Sequence, residues 1–203
     1  MVGERTAVLE REQSQARSVV PAGMPVGRRT PRGKRRWYLV HAPGREQSTC
    51  NKVKRLISPD LLEDAFVMRR ERVKKYHGEW ITSTVPMYPE YFFVVTRDVN
   101  ALDKELAKLS FPAHICKGEG RFYAPMAEEA QAWYEQMMDA THTIRTSTAV
   151  IVDGELQIQK GPMVGQESRV TKIMRQRSVC TVAVSEGGSG FTECVPFVVP
   201  FRS

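Results

Sequence analysis

The stretch "IQKGPMVGQESRVTKI", Ile158 to Ile173, breaks an alternating apolar run at Gly161-Pro162 and then resumes it. Gly161 admits backbone angles closed to residues with a Cβ, and Pro162 holds its φ at about −65°. A strand can therefore stop here and turn sharply with little conformational entropy left to lose. Gly165 frees the second corner of the same loop. Short alternating runs surround it: "AVIVDGELQIQ" before, then "SRVTKIM", "SVCTVAVS" and "FTECVPFVVPF" after, with "EGGSG" as the turn between the last two. Strands this short and frequent over residues 149–203 predict a small all-β barrel.

Upstream the periodicity changes. "RRWYLVHA" carries a short apolar strand, Trp37 to His41, and Gly44 then opens a segment with Cys50, Val53, Leu56 and Ile57 at helical spacing. "AFVMRRERVKKYHGEWITSTV" reads as two extended runs joined by a His77-Gly78 turn, and "YPEYFFVVTR" as a third strand bounded by Pro86 and Pro89. Asp98 is placed to cap a helix bearing Leu102, Leu106 and Leu109. Pro125 precedes another helix, with Ala127, Ala130, Tyr134, Met137 and Met138 on one side. A short strand around His114 to Cys116 lies between them. Strand, helix, three strands, helix, strand, helix is an α+β order of ordinary domain size. The expected organisation is a basic extension at 1–35, an α+β domain at 36–139, a linker at 140–148 ("ATHTIRTST" has no periodic apolar face) and the barrel at 149–203.

Charge is unevenly spread. The chain of 203 residues has a formal charge of +7, but residues 1–36 hold nine Lys/Arg against three Glu, leaving 21 basic and 20 acidic residues in the remainder. The first segment, poor in large apolar residues and rich in Gly, Pro, Ser and Arg, reads as a disordered tail, either simply solvated or adding attraction to nucleic acid. Cys50, Cys116, Cys180 and Cys194 are far apart with no C-x-x-C pair. Neither a zinc ribbon nor a redox dithiol is written there, and reduced, packed thiols suit a cytoplasmic protein. No apolar run approaches the roughly 20 residues that cross a bilayer, so no membrane partner is expected. No dense His/Asp/Glu/Cys cluster, P-loop or nucleophile elbow is present, and "GEGRF" at Gly118 to Phe122 lacks the strand-glycine-helix setting of a phosphate loop. An enzyme is not expected, nor a cofactor.

The strand "WYLV", the phrase "YPEYFFV" and the later "KGPMVGQESRVTKI" together resemble the NusG family of transcription elongation factors. "RRERVKKYHGEW" and "KIMRQRSVCTVAV" look most like its specialised LoaP branch. The resemblance covers about Trp37 to Val184, with Ser168 standing where the second motif usually has glycine. It implies an NGN-type antiparallel sheet flanked by helices, followed by a KOW (SH3-like) barrel. It further implies a factor that binds the clamp helices of RNA polymerase through an apolar depression on the NGN sheet. The branch implies processive antitermination of long operons, with recruitment by a nucleic-acid signal in nascent RNA or exposed DNA. A ribosomal protein or termination factor would be the partner of the KOW barrel.

By position in the motif, Tyr91 and Phe93 match aromatic residues lining that depression, and His41 matches an aromatic position at the end of the first strand. Residues 91 and 93 share a strand face because side chains alternate, though such rings also simply fill cores. In "MRRERVKKYH", Arg69, Arg70, Arg72, Lys74 and Lys75 stand against the single Glu71. Such a run either solvates a strand edge or meets phosphates, with Tyr76 available to stack on an unpaired base. The rival class is a ribosome-associated KOW protein that binds structural RNA, and a general NusG-like elongation factor is a further alternative.

Overall fold

The computed structural model describes residues 33–118, 122–184 and 191–200, with backbone alone at Lys75 and Trp80. Most of the expected tail, the "EGGSG" turn, the middle of "GEGRF" and Phe201 lie outside the described residues. The fold is mixed α+β, with three α-helices among the described residues and with antiparallel and mixed sheets. No helix among the described residues is long and apolar enough to cross a membrane.

Two compact units emerge, and the expected boundary at 140–148 falls inside the second of them. The first combines the described residues up to Val67 with those between Tyr88 and Ala127. Its sheet has the order β2-β5-β1-β6, where β1 is Arg36–His41, β2 Asp64–Phe66, β5 Tyr91–Thr96 and β6 His114–Ile115. All six residues of β1 are buried, so this strand is covered on both faces rather than half-wet. One face, with Tyr38, Val40, Phe92 and Val94, joins a core with residues of helices α1 (Glu46–Leu56) and α2 (Val99–Leu106). Cys50 and Val53 of α1 and the following Ile57 are buried as the spacing predicts, but Leu56 is 61% exposed. At 100° per residue it has rotated off the arc that Cys50, Val53 and Ile57 share. Asp98 caps α2, its carboxylate accepting from the Ala101 N–H at 3.0 Å.

The second unit combines Met68–Met87 with the described residues from Glu128 onward. Strands β3 (Arg69–Tyr76) and β4 (Glu79–Pro86) form a hairpin in unbroken register. His77 and Gly78 both have positive φ, 49° and 89°, the type I′ turn whose twist matches its strands. Helix α3 is Glu128–Met137, followed by β7 at Thr143–Ile144. A curled half-barrel sheet contains β8 (Ser147–Val152), β9 (Glu155–Lys160), β10 (Val170–Met174), β11 (Val179–Ala183) and β12 (Thr192–Val198), in the order β10-β11-β12-β8-β9.

The segment expected as a linker is built into this unit. β7 runs parallel to β3, pairing Thr143 with Arg69 and Ile144 with Arg70, and gives a three-stranded sheet β4-β3-β7. Ile144 is fully buried. The polar residues that looked like solvent-facing linker instead satisfy one another and the hairpin.

Candidate functional site

Two groups of residues were expected to carry function, and each lies within one unit. On the sheet of the first, antiparallel register sets His41 directly opposite Tyr91, and Leu39 opposite Phe93. Opposed residues share a face, so His41, Tyr91 and Phe93 are neighbours on the face away from Val40 and Phe92. The His41 and Tyr91 rings are 5.0 Å apart. Their exposure differs: Tyr91 is half-buried, while His41 and Phe93 are only 2% and 1% exposed. Phe93 sits in an aromatic cluster, stacked 5.6 Å from Phe66 and packed 5.9 Å from Trp37 and 5.8 Å from Tyr88. The indole N–H of buried Trp37 has no partner among the described residues.

The basic hairpin separates into residues that hold structure and residues that face solvent. Arg70, Arg72 and Lys74 share one face by alternation. Arg70 is half-buried and donates from Nη1 to the backbone carbonyl of Cys194 on β12 at 2.7 Å, so it anchors the hairpin root. Arg72 and Lys74 are exposed. Tyr76, 63% exposed, follows on that face, and His77 packs edge-on against it at 4.2 Å between ring centres. Arg69 points the other way and is half-buried; its backbone N–H donates to the His142 carbonyl at 2.9 Å. Lys75 has its backbone in β3, and its side chain lies outside the described residues. The exposed row is thus Arg72, Lys74 and Tyr76, one cation shorter than spacing alone suggests.

Glu71, the lone acid of the run, explains why the hairpin stands where it does. It accepts from Arg145 Nη1 at 3.1 Å and from the Thr146 N–H at 2.7 Å. Arg145 Nε also donates to Asp139 at 2.6 Å, and Asp139 accepts further hydrogen bonds from Thr141 and from the Thr143 N–H. Burial pushes both carboxyl groups up, but these donors outweigh it and hold Glu71 below the usual range and Asp139 far below it. A depressed carboxyl contributes stability above its unfolded pKa and loses it as pH falls toward the folded one. The brace should therefore weaken below about pH 4 and not at neutral pH. Asp139→Asn removes the charge at constant pH, and trypsin cleavage after Arg145 is expected to accelerate at least several-fold. Equal cleavage rates would show that Asp139 does not hold this segment.

The Gly161-Pro162 loop is the third element. Met163 is fully buried, and its N–H donates to Ser147 Oγ at 3.1 Å. Gln166 accepts from Trp133 Nε1 of α3 at 2.9 Å and donates to the Pro162 carbonyl at 3.3 Å. Tyr134 of the same helix donates to Glu193 of β12 at 2.7 Å. Helical spacing marks Tyr134 for the packed side of α3 but not Trp133, which is buried as well. The cue was the turn itself, which needs something to cover its apolar Met163. Cys50, Cys116 and Cys180 are buried, and burial pushes their thiols up to about 12, so they stay protonated and unreactive at neutral pH.

No protein-family model matches this chain, and no curated protein matches it significantly.

Proposed function

We propose that this chain is a specialised transcription elongation factor of the NusG type, nearest the LoaP branch, with an NGN domain followed by a KOW barrel. It binds the clamp helices of RNA polymerase in the cytoplasm and promotes processive antitermination of long operons, with no catalysis of its own. The observation that carries this reading is the Tyr91–His41 pair. A half-exposed tyrosine sits over a buried histidine, beside a bed of packed aromatics that holds the strand rigid. A ring with an apolar body and a polar tip on a rigid support suits a protein interface.

Tyr91→Ala should weaken retention of polymerase by about 2 kcal/mol, roughly thirtyfold, with the fold intact. Wild-type retention by the folded variant would refute the polymerase contact. Recovery of ribosomes in place of polymerase would favour the rival reading of a ribosome-associated RNA binder.

Recruitment by RNA or exposed DNA falls to the hairpin. Arg72 and Lys74 supply two phosphate contacts beside the Tyr76 ring, which can stack on an unpaired base. Arg72→Ala with Lys74→Ala should lower the slope of log affinity against log salt by about 1.4 for a single-stranded ligand, at about 0.7 per contact. Arg70→Ala should leave that slope unchanged, because its guanidinium already holds the Cys194 carbonyl. An equal fall in slope for Arg70→Ala would return it to the binding row.

A further inference from the structure

Strand β4 ends its sheet: in the order β4-β3-β7 nothing among the described residues pairs with its outer side. In a hairpin closed by two residues, the pair flanking the turn, Tyr76 and Glu79, exchanges both backbone hydrogen bonds. So does every second pair after it: Lys74 with Ile81, Arg72 with Ser83, Arg70 with Val85. The peptide groups of Trp80, Thr82 and Thr84 therefore point away from β3, toward the open edge. Residues 81–84 are all exposed, Ile81 at 47%.

Sheet edges are ordinarily guarded by a charge, a proline within the strand, a bulge or shortness. β4 runs eight residues without a register break, carries its one acid at the turn end, and has its proline last. Its centre, Ile81-Thr82-Ser83-Thr84-Val85, reads almost the same in both directions about Ser83.

We propose that β4 is a self-association edge, pairing antiparallel with β4 of a second copy of this chain about a two-fold axis at Ser83. That register sets Thr82 opposite Thr84 of the second copy, and both present their peptide groups outward, so each pair forms two backbone hydrogen bonds. Ser83 meets its own counterpart, and Ile81 meets Val85 across the seam. Threonine pairs and branched apolar pairs are favourable cross-strand neighbours.

Charge permits it. The cationic strands β3 of the two copies are separated by both β4 strands, about 14 Å, beyond the screening length of about 8 Å at physiological salt. Opposed residues share a face, so both Arg72–Lys74 rows lie on one side of a continuous six-stranded sheet. A contact this short belongs to the small, transient class of interfaces, so the dimer is expected in the range of about 10–100 micromolar.

The register gives the test. Opposed residues in a non-hydrogen-bonded pair have Cα atoms about 4.5 Å apart, within disulfide reach. On mild oxidation Ser83→Cys should cross-link into a covalent dimer. Thr82→Cys should not, because its counterpart lies about 8 Å away. By light scattering, the wild-type mass should rise from 23.0 kDa toward twice that value with concentration. Thr82→Lys with Thr84→Lys should stay monomeric, since lysines would oppose lysines. Thr82→Glu with Thr84→Lys should dimerise again, with each glutamate facing a lysine and Lys at 84 also facing Glu71 within its own hairpin. A wild-type chain that remains monomeric throughout, Ser83→Cys cross-linking no faster than Thr82→Cys, or a double-lysine variant that dimerises like wild type would each overturn the proposal.

Discussion

Phe93→Ala is expected to destabilise the protein by about 3–5 kcal/mol, the cost of emptying a packed aromatic site. Phe93 is 1% exposed, and its ring is in contact with those of Trp37, Phe66 and Tyr88. Truncation removes three aromatic contacts together and leaves a cavity that β5, hydrogen-bonded on both sides, cannot collapse to fill. Urea unfolding measures it. A loss under about 1 kcal/mol would mean that the ring is peripheral and that Phe93 is free to serve a partner, the role proposed for Tyr91. The two residues were indistinguishable by spacing, so this comparison with Tyr91→Ala separates a core role from an interface role on one strand face.

The second large effect is expected at Gly161. With φ at +100°, an added Cβ would lie 2.6 Å from both Cα and Oγ of Ser147 and 2.8 Å from the Thr146 carbonyl oxygen. Two of those three atoms are backbone and cannot swing aside. Backbone strain of about 1–3 kcal/mol and overpacking of similar size act together, so Gly161→Ala should cost about 3 kcal/mol or more. Gly154→Ala is the control: its φ is +85°, yet nothing lies within 4 Å of the added carbon, so it bears the backbone strain alone. Equal urea midpoints for the two variants would show that the approach to Ser147 is relieved by small movements.

Much of this architecture was legible locally. Short apolar runs marked β1 and β5, Asp98 announced its cap, His77-Gly78 and Gly161-Pro162 announced their turns, and each depends on forces acting within a few residues. The face shared by Tyr91 and Phe93, and by Arg70, Arg72 and Lys74, followed from strand geometry alone. Chain folding over long separations decided the rest. Arg70 is withdrawn from the exposed row by a carbonyl 124 residues away, and Glu71 meets an arginine 74 residues on. The polar run at 140–148 became a strand and a brace instead of a linker. Composition records only that such residues prefer water; a hydrogen-bond partner brought near by the fold serves as well, and only the tertiary structure supplies it.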